Sequence, residues 1–454
     1  MRASIVLIAL LCLVLTPAVA AAQDAATLRR EIEQLQKQLQ SVTERLQRLE
    51  AQPPAQPAPS ATPAQPPGPA AGAPSSAPSA ADLLRPRQPY ALYQQRGAGQ
   101  LLFDMGIAGD FVGNITQGNV ERAGGGTFAG RENRFFPREI ELSLFGQVDP
   151  YAAAVVRIES GEEERAAELA VHLAEAHLTL LTLPFGTQAR LGLVRNRFGY
   201  TNEIHEHDLP WVDRPNAFRI FFGDEGLNEK GLEVTFVPDL PFYIEALAGV
   251  FNGDNETAFG RTSLRHPLAT GRLRTFLELG DEHAVQLGMS VASGQTEEKN
   301  QSTILGWEGR YKYRPEGSLH PLITLTGEAL YSMRKTDVGV DQNGDGANDV
   351  IDKRQRNHFG WYTGLEAQPF RRWAGGVRYD WSQYPVNPGW EWSVEPYLTF
   401  WPSEFLRFRL AYKYTDRSPQ TRDAFNLRDA SARRVDEILF QASFILGAHP
   451  AHPF

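Results

Sequence analysis

Beyond residue 22 the chain has no cysteine, because its single one, Cys12, falls within an N-terminal segment that reads as a leader. A disulfide framework is therefore excluded, although a leader directs a chain to an oxidising compartment. Long apolar runs are equally scarce: after the leader no stretch reaches the ~20 residues that a helix needs to cross a bilayer. That excludes a helical membrane protein. Basic charge is also in deficit, with 45 Lys and Arg against 54 Asp and Glu, a net charge of −9. Nucleic acid demands basic charge concentrated on one face, so it is not an expected partner. Neither a G-x-S-x-G nucleophile elbow nor an H-E-x-x-H motif occurs, and no enzymatic activity is expected.

What is present falls into four zones. Residues 1–22 combine an early charge at Arg2, an apolar run from Ile5 to Leu15 and small residues at Ala18, Ala20 and Ala22, the pattern of a cleaved secretory signal. Leu11 precedes Cys12, where a lipidation signal needs a small residue. Over 23–50 the apolar positions Leu28, Ile32, Leu35, Leu39, Val42, Leu46 and Leu49 alternate spacings of four and three, a heptad seam. So short a helix is marginal alone in water, so the seam predicts a coiled coil that self-associates, with a trimer favoured. Residues 51–82 form a Pro/Ala-rich linker, with ten prolines between positions 51 and 80. It should run as polyproline II and reach at most about 90 Å.

From 83 to 454 the texture changes to segments of about ten residues in which apolar and polar positions alternate, separated by Gly, Asn, Asp and Pro. Leu273, Leu277 and Leu279 oppose Arg272, Arg274 and Glu278, while Leu406, Phe408 and Leu410 oppose Arg407 and Arg409. A soluble sandwich alternates too. Here, however, charged residues recur at strand centres, and aromatics gather at expected strand ends: Tyr311 and Tyr313, Trp361 and Tyr362, Trp390 and Trp392, Phe400 and Trp401, Tyr412 and Tyr414. A polar lumen, a lipid-facing exterior and interfacial girdles account for both features. The expected fold is an all-β transmembrane barrel of about 16 antiparallel strands, with the N-terminal coiled coil in the periplasm. Short links at 149–150, 184–186, 238–241 and 280–282 alternate with long ones at 113–134, 198–226, 250–270, 332–357 and 415–435. The short links mark the periplasmic rim.

Three sets of residues are candidate sites. Arg195, Arg197, Arg272, Arg274, Arg378, Arg407 and Arg409, with Glu139, Glu141 and Glu328, are expected to line the pore. Basic and acidic positions both face inward, so ion preference stays open. Glu203, His205, His207 and Asp208 place imidazoles and carboxylates within one long loop, a donor set that suits zinc. The same residues equally suit a polar loop folded into the lumen as a constriction. Asp341, Asn343, Asp345, Asp349 and Asp352 follow the spacing of a calcium loop with Gly346 at its sixth position, although Asp stands where the twelfth is usually Glu. A plain Asn/Gly turn is the alternative, and no cofactor is required.

The segment Arg195-Asn196-Arg197-Phe198-Gly199-Tyr200-Thr201-Asn202-Glu203-Ile204-His205-Glu206-His207-Asp208, with Trp211-Val212-Asp213-Arg214-Pro215 and Phe218-Arg219-Ile220-Phe221-Phe222-Gly223-Asp224-Glu225-Gly226, resembles a family of bacterial proteins called zinc-regulated TonB-dependent outer-membrane receptors. The ending Leu446-Gly447-Ala448-His449-Pro450-Ala451-His452-Pro453-Phe454 does so too. More loosely, coiled coil plus barrel is similar to phosphate-selective porins of the O/P type. Receptors of the first kind carry a plug within a barrel of about 22 strands. Only about twenty residues separate the linker from the first expected strand, too few for a plug. The resemblance therefore implies the fold and an outer-membrane location, while energy-coupled transport is not expected. It implies outer-membrane lipid and the barrel assembly machinery, which reads a terminal aromatic such as Phe454, as partners; a structural tether whose coiled coil grips peptidoglycan is a separate alternative. The function expected is passive passage of small solutes or ions, with a zinc-related receptor or uptake channel as the alternative.

Overall fold

The computed structural model describes residues 104–162, 169–340, 350–424 and 430–447. The signal segment, coiled coil and linker, together with His449, His452 and Phe454, lie outside the described residues. Sixteen strands follow one another: β1 Asp104–Thr116, β2 Phe135–Asp149, β3 Ala152–Gly161, β4 Ala170–Leu183, β5 Thr187–Arg195 and β6 Asn228–Phe236. Next come β7 Tyr243–Phe251, β8 Leu268–Leu279, β9 His283–Gln295, β10 Gln301–Tyr313 and β11 Leu322–Val340. The last are β12 Val350–Phe370, β13 Trp373–Gln383, β14 Trp390–Ser403, β15 Leu406–Arg417 and β16 Arg434–Gly447. Each pairs antiparallel with its neighbours in sequence, and β1 closes on β16 from Gly106 opposite Gly447 to Thr116 opposite Glu437. Closure leaves no unpaired edge, the condition for a sheet to sit in lipid.

Side-chain polarity is inverted relative to a soluble protein. Leu273, Met289, Leu325, Leu365, Leu410 and Ile438 are exposed on the outer face, whereas Asp110, Glu141, Arg272, Glu328, Arg378, Asp380, Glu395 and Arg409 are buried within. The period-2 alternation produces this directly, because successive residues of a strand point to opposite faces. Trp373 stacks near Phe400 at 4.5 Å between ring centres, close to the short-turn rim. Toward the other rim Trp361, Tyr379, Trp392 and Tyr414 form a row with spacings of 5.3, 6.1 and 5.4 Å. From Trp373 to Trp381, which packs on Phe359, β13 rises about 25 Å at ~3.3 Å per residue. Tilted by the roughly 35–45° usual in such barrels, it covers about 20 Å along the barrel axis, most of the height of an apolar band between two girdles.

Connections alternate as the sequence suggests, with two- and three-residue links after β2, β4, β8, β12 and β14 on one rim and longer ones at the other. Two expectations need correction. The stretch 332–357 is largely strand: β11 and β12, of 19 and 21 residues, pair beyond the rim as far as Val340 opposite Val350. Continued pairing satisfies the backbone better than an open loop. Tyr362 is no girdle residue; it points inward, is buried, and donates a hydrogen bond to Glu328 at 2.6 Å.

A charge in the middle of the apolar band is costly and at its margin cheap. Leu365→Arg should destabilise the folded barrel by ~2–4 kcal/mol, and Leu279→Arg, at the short-turn end of β8, by about 0–1 kcal/mol, measured by denaturant unfolding in lipid.

Candidate functional site

Residues 196–227, between β5 and β6, fold into the barrel rather than away from it. Local chemistry shapes this inner segment. Pro215 precedes a short helix, α1 Asn216–Phe222, which ends at Gly223 with φ 84°. Phe218, Phe221 and Phe222, at helical spacings of three and four, share a face and are fully buried with Trp211, Val212 and Leu227. Burying each large apolar side chain contributes roughly 1.5–3 kcal/mol. The wall is shaped to receive them: a Cβ on Gly364 of β12 would come within 2.7 Å of the Trp211 indole. Gly199, at φ 66°, lies so close to the Glu328 carboxylate that a side chain there would collide with it.

Polar wall residues hold the rest. Arg378 bonds Asp213 Oδ1 at 2.6 Å, Asp380 at 2.7 Å and Glu395 at 2.8 Å, while Lys413 Nζ reaches Asp213 Oδ2 at 2.5 Å. Arg409 donates to the carbonyls of Leu209 and Trp211 at 3.0 and 2.7 Å. Arg138, paired with Asp110 at 2.5 Å, donates to the carbonyls of Val212 and Glu206, and Arg407 to that of His207. Glu328 accepts from the amides of Tyr200 and Thr201 at 2.9 and 2.8 Å. Burial works against the charge on Asp213, but Arg378 and Lys413 outweigh it and hold the carboxyl far below the usual range.

The expected pore-lining set therefore faces inward but with a different role. Arg378, Arg407, Arg409 and Glu328 clamp the inner segment, while Arg272 pairs with Glu203 and with Glu308 at 2.5 Å. Arg274 bonds Glu245 at 2.8 Å, Arg197 bonds Glu233 at 2.6 Å, and Arg195 is buried beside Glu225. These are structural pairs, not a free basic ladder. A guanidinium in a crowded lumen is stabilised by the nearest carboxylate or carbonyl before any passing solute.

The zinc set also divides. Glu203 turns to Arg272 and Arg274 and so leaves the histidines. His207 pairs with Asp208 at 2.9 Å and with Glu139 at 2.8 Å. His205 points into wall carboxylates that sequence reading did not include, with Nδ1 3.0 Å from Glu141 and 3.3 Å from Glu159, and Nε2 3.5 Å from Glu175. Arg157 also touches Nε2. Burial and Arg195 disfavour protonation of His205, but the three glutamates outweigh them and raise its pKa to about 9. His207 is raised too, Glu139 and Asp208 overcoming burial. The only signal for Glu159 and Glu175 was an acidic residue within each apolar run, Val155–Gly161 and Ala170–Leu178. Of the calcium set, Asp341, Asn343, Asp345 and Asp349 lie outside the described residues, and Asp352 is placed only by its backbone, opposite Val338.

Two cavities reach the inner segment from opposite rims. One of about 470 Å³ on the long-loop side is lined by Arg131, Glu139, Glu159, Glu206, Arg214 and Glu225 among others. The other, about 410 Å³, lies toward the short turns beside Tyr200, Glu203, Ile204, Tyr243, Arg274 and Phe276. Along the chain His205 stands between Ile204, which lines one cavity, and Glu206, which lines the other.

No family model matches the chain. An uncharacterised protein of Aquifex aeolicus (strain VF5) is 29% identical over 351 residues, which cover 69% of each chain. Among solved structures, the outer membrane channel DcaP of Acinetobacter baumannii is similar with a TM-score of 0.48 and 11% identity, over 76% of this chain and 96% of that one. Pseudomonas putida OprB gives 0.48 and 11%, over 76% and 94%. An anion-selective porin from Comamonas acidovorans gives 0.47 and 10%, over 76% and 98%.

Asp213→Ala leaves Arg378 and Lys413 without their shared partner, a change that typically costs 3–5 kcal/mol when the charges are buried. Trypsin should then cut folded protein at Arg214 or Arg219, which the parent barrel protects; equal resistance of both proteins would show that Asp213 is not the clamp.

Proposed function

We propose that this chain is an outer-membrane, porin-like channel for passive passage of small solutes or ions, with residues 196–227 as its constriction. The observation that carries this reading is the inversion of polarity around a closed barrel: exposed Leu, Met and Ile outside, buried Asp, Glu and Arg inside. Only a lipid exterior makes that distribution favourable, and a 16-strand barrel is wide enough to leave an aqueous path. Cavities that reach the inner segment from both rims support passage rather than storage.

In this reading the short turns face the periplasm, where the coiled coil joins chains into a trimer and stands near peptidoglycan. The barrel assembly machinery inserts the chain. No catalysis is assigned to it. Energy-coupled uptake of the receptor kind is not part of the proposal, since a segment of the barrel's own chain fills the place a separate plug would occupy.

Purified protein in a planar bilayer should give stepwise conductance that rises with salt and needs no added ligand. Replacing 206–222 by a short Gly/Ser linker should raise the unit conductance severalfold. Silence from both proteins, once each is shown to be folded, would overturn the channel reading.

A further inference from the structure

His205 and the glutamates around it carry chemistry that clamping does not require. Ligand atoms of Glu139, Glu141, Glu159 and His205 lie within 4.8 Å of one another, and all four residues are buried. Glu139 and Glu141 are 7% and 2% exposed. The Oε2 of Glu139 is buried without a hydrogen-bond partner, although its Oε1 holds His207. A buried carboxylate oxygen left in that state is costly unless something else meets it.

The spacing suggests what that is. A tetrahedral ion with metal–ligand bonds of about 2.0–2.2 Å separates its ligands by about 3.4 Å. The observed separations from His205 Nδ1, 3.0 Å to Glu141 and 3.3 Å to Glu159, are already near such edges. Charge points the same way. Glu139, Glu141, Glu159 and Glu175 contribute −4, and the guanidiniums of Arg157 and Arg195 +2, which leaves −2 around neutral imidazoles. Either a proton on each imidazole, as their raised pKa values give, or one divalent cation cancels it.

We infer that Glu139, Glu141, Glu159 and His205 form a binding site for one divalent transition-metal cation of zinc's class at the constriction. Three carboxylate oxygens with one imidazole nitrogen fit such an ion, whereas calcium takes six to eight oxygens and no nitrogen. With the metal on Nδ1 the imidazole proton sits on Nε2, where Glu175 at 3.5 Å accepts it, and Arg157, a donor only, turns to the carboxylates of Glu141 and Glu175. Access is from the long-loop cavity, whose lining includes Glu139 and Glu159. That route, and the consequence for conduction, rest on the channel reading; the binding itself does not.

The test titrates zinc into tag-free, chelator-treated full-length protein in detergent, followed by calorimetry and by metal content after gel filtration. One equivalent per chain is expected. His205→Gln with Glu159→Gln should weaken it by more than the 10- to 100-fold typical of changes outside the ligand shell. His449→Ala with His452→Ala should leave the equivalent in place, which separates this site from the terminal histidines. If the first double variant does not form a barrel, Glu139→Gln carries the same comparison. No zinc bound by the parent, or binding unchanged by loss of the ligands, overturns the site. Conductance is measured separately: zinc that binds and lowers the current places the ion in the path, and zinc that binds without effect on an open channel removes it from the path.

Discussion

The structure turns on one electrostatic constraint: a barrel in lipid must place its charged residues inside, and each charge placed there needs a partner. Desolvating an unpaired carboxylate or guanidinium costs several kcal/mol, while water filling a wide pore would relieve that cost. Here much of the relief comes from protein. Arg378, Arg409, Lys413, Arg138 and Glu328 direct their polar atoms to residues 196–227 instead of to open solvent. The inner segment is thus the counter-charge of the wall as much as an obstacle in it.

That dependence explains why so apolar a stretch as Trp211 to Phe222 can sit within a charged lumen. Its backbone carbonyls and Asp213 face the basic wall of β13 and β15, while its aromatic side chains turn toward one another and toward Phe198, Tyr362 and Phe251. The lumen is accordingly layered: an apolar cluster packs against the β11–β13 side, and a polar, carboxylate-rich track remains beside β2–β4. The proposed passage and the proposed ion site both lie in the second layer.

Much of the fold was legible in the sequence because its cause is local. Alternation at Leu273, Arg274 and their counterparts follows from the two-residue period of a strand, and links such as Gly280-Asp281-Glu282 announce themselves by composition. The partners of the site were not legible, because they follow from closure. Nothing along the chain says that Glu141 on β2 and Glu175 on β4 will meet His205, or that Asp213 will lie between Arg378 and Lys413, some 165 and 200 positions later. Inward direction could be read from period 2; occupancy of the lumen could not. The arginines face inward, as the alternation implies, and there they pair with wall carboxylates and with carbonyls of the inner segment.

His205 and Asp213, eight positions apart, show how one segment can serve both anchoring and function. Asp213 is held between the fixed cations Arg378 and Lys413, so its place is structural. His205 is surrounded by an excess of carboxylates over guanidiniums, and its local balance closes when both imidazoles are protonated or a divalent ion joins them. A clamp of paired charges holds the segment at its C-terminal half, and a carboxylate-rich cluster lies beside the long-loop cavity. Because the first is complete without a ligand, the second is free to exchange one without unseating the segment.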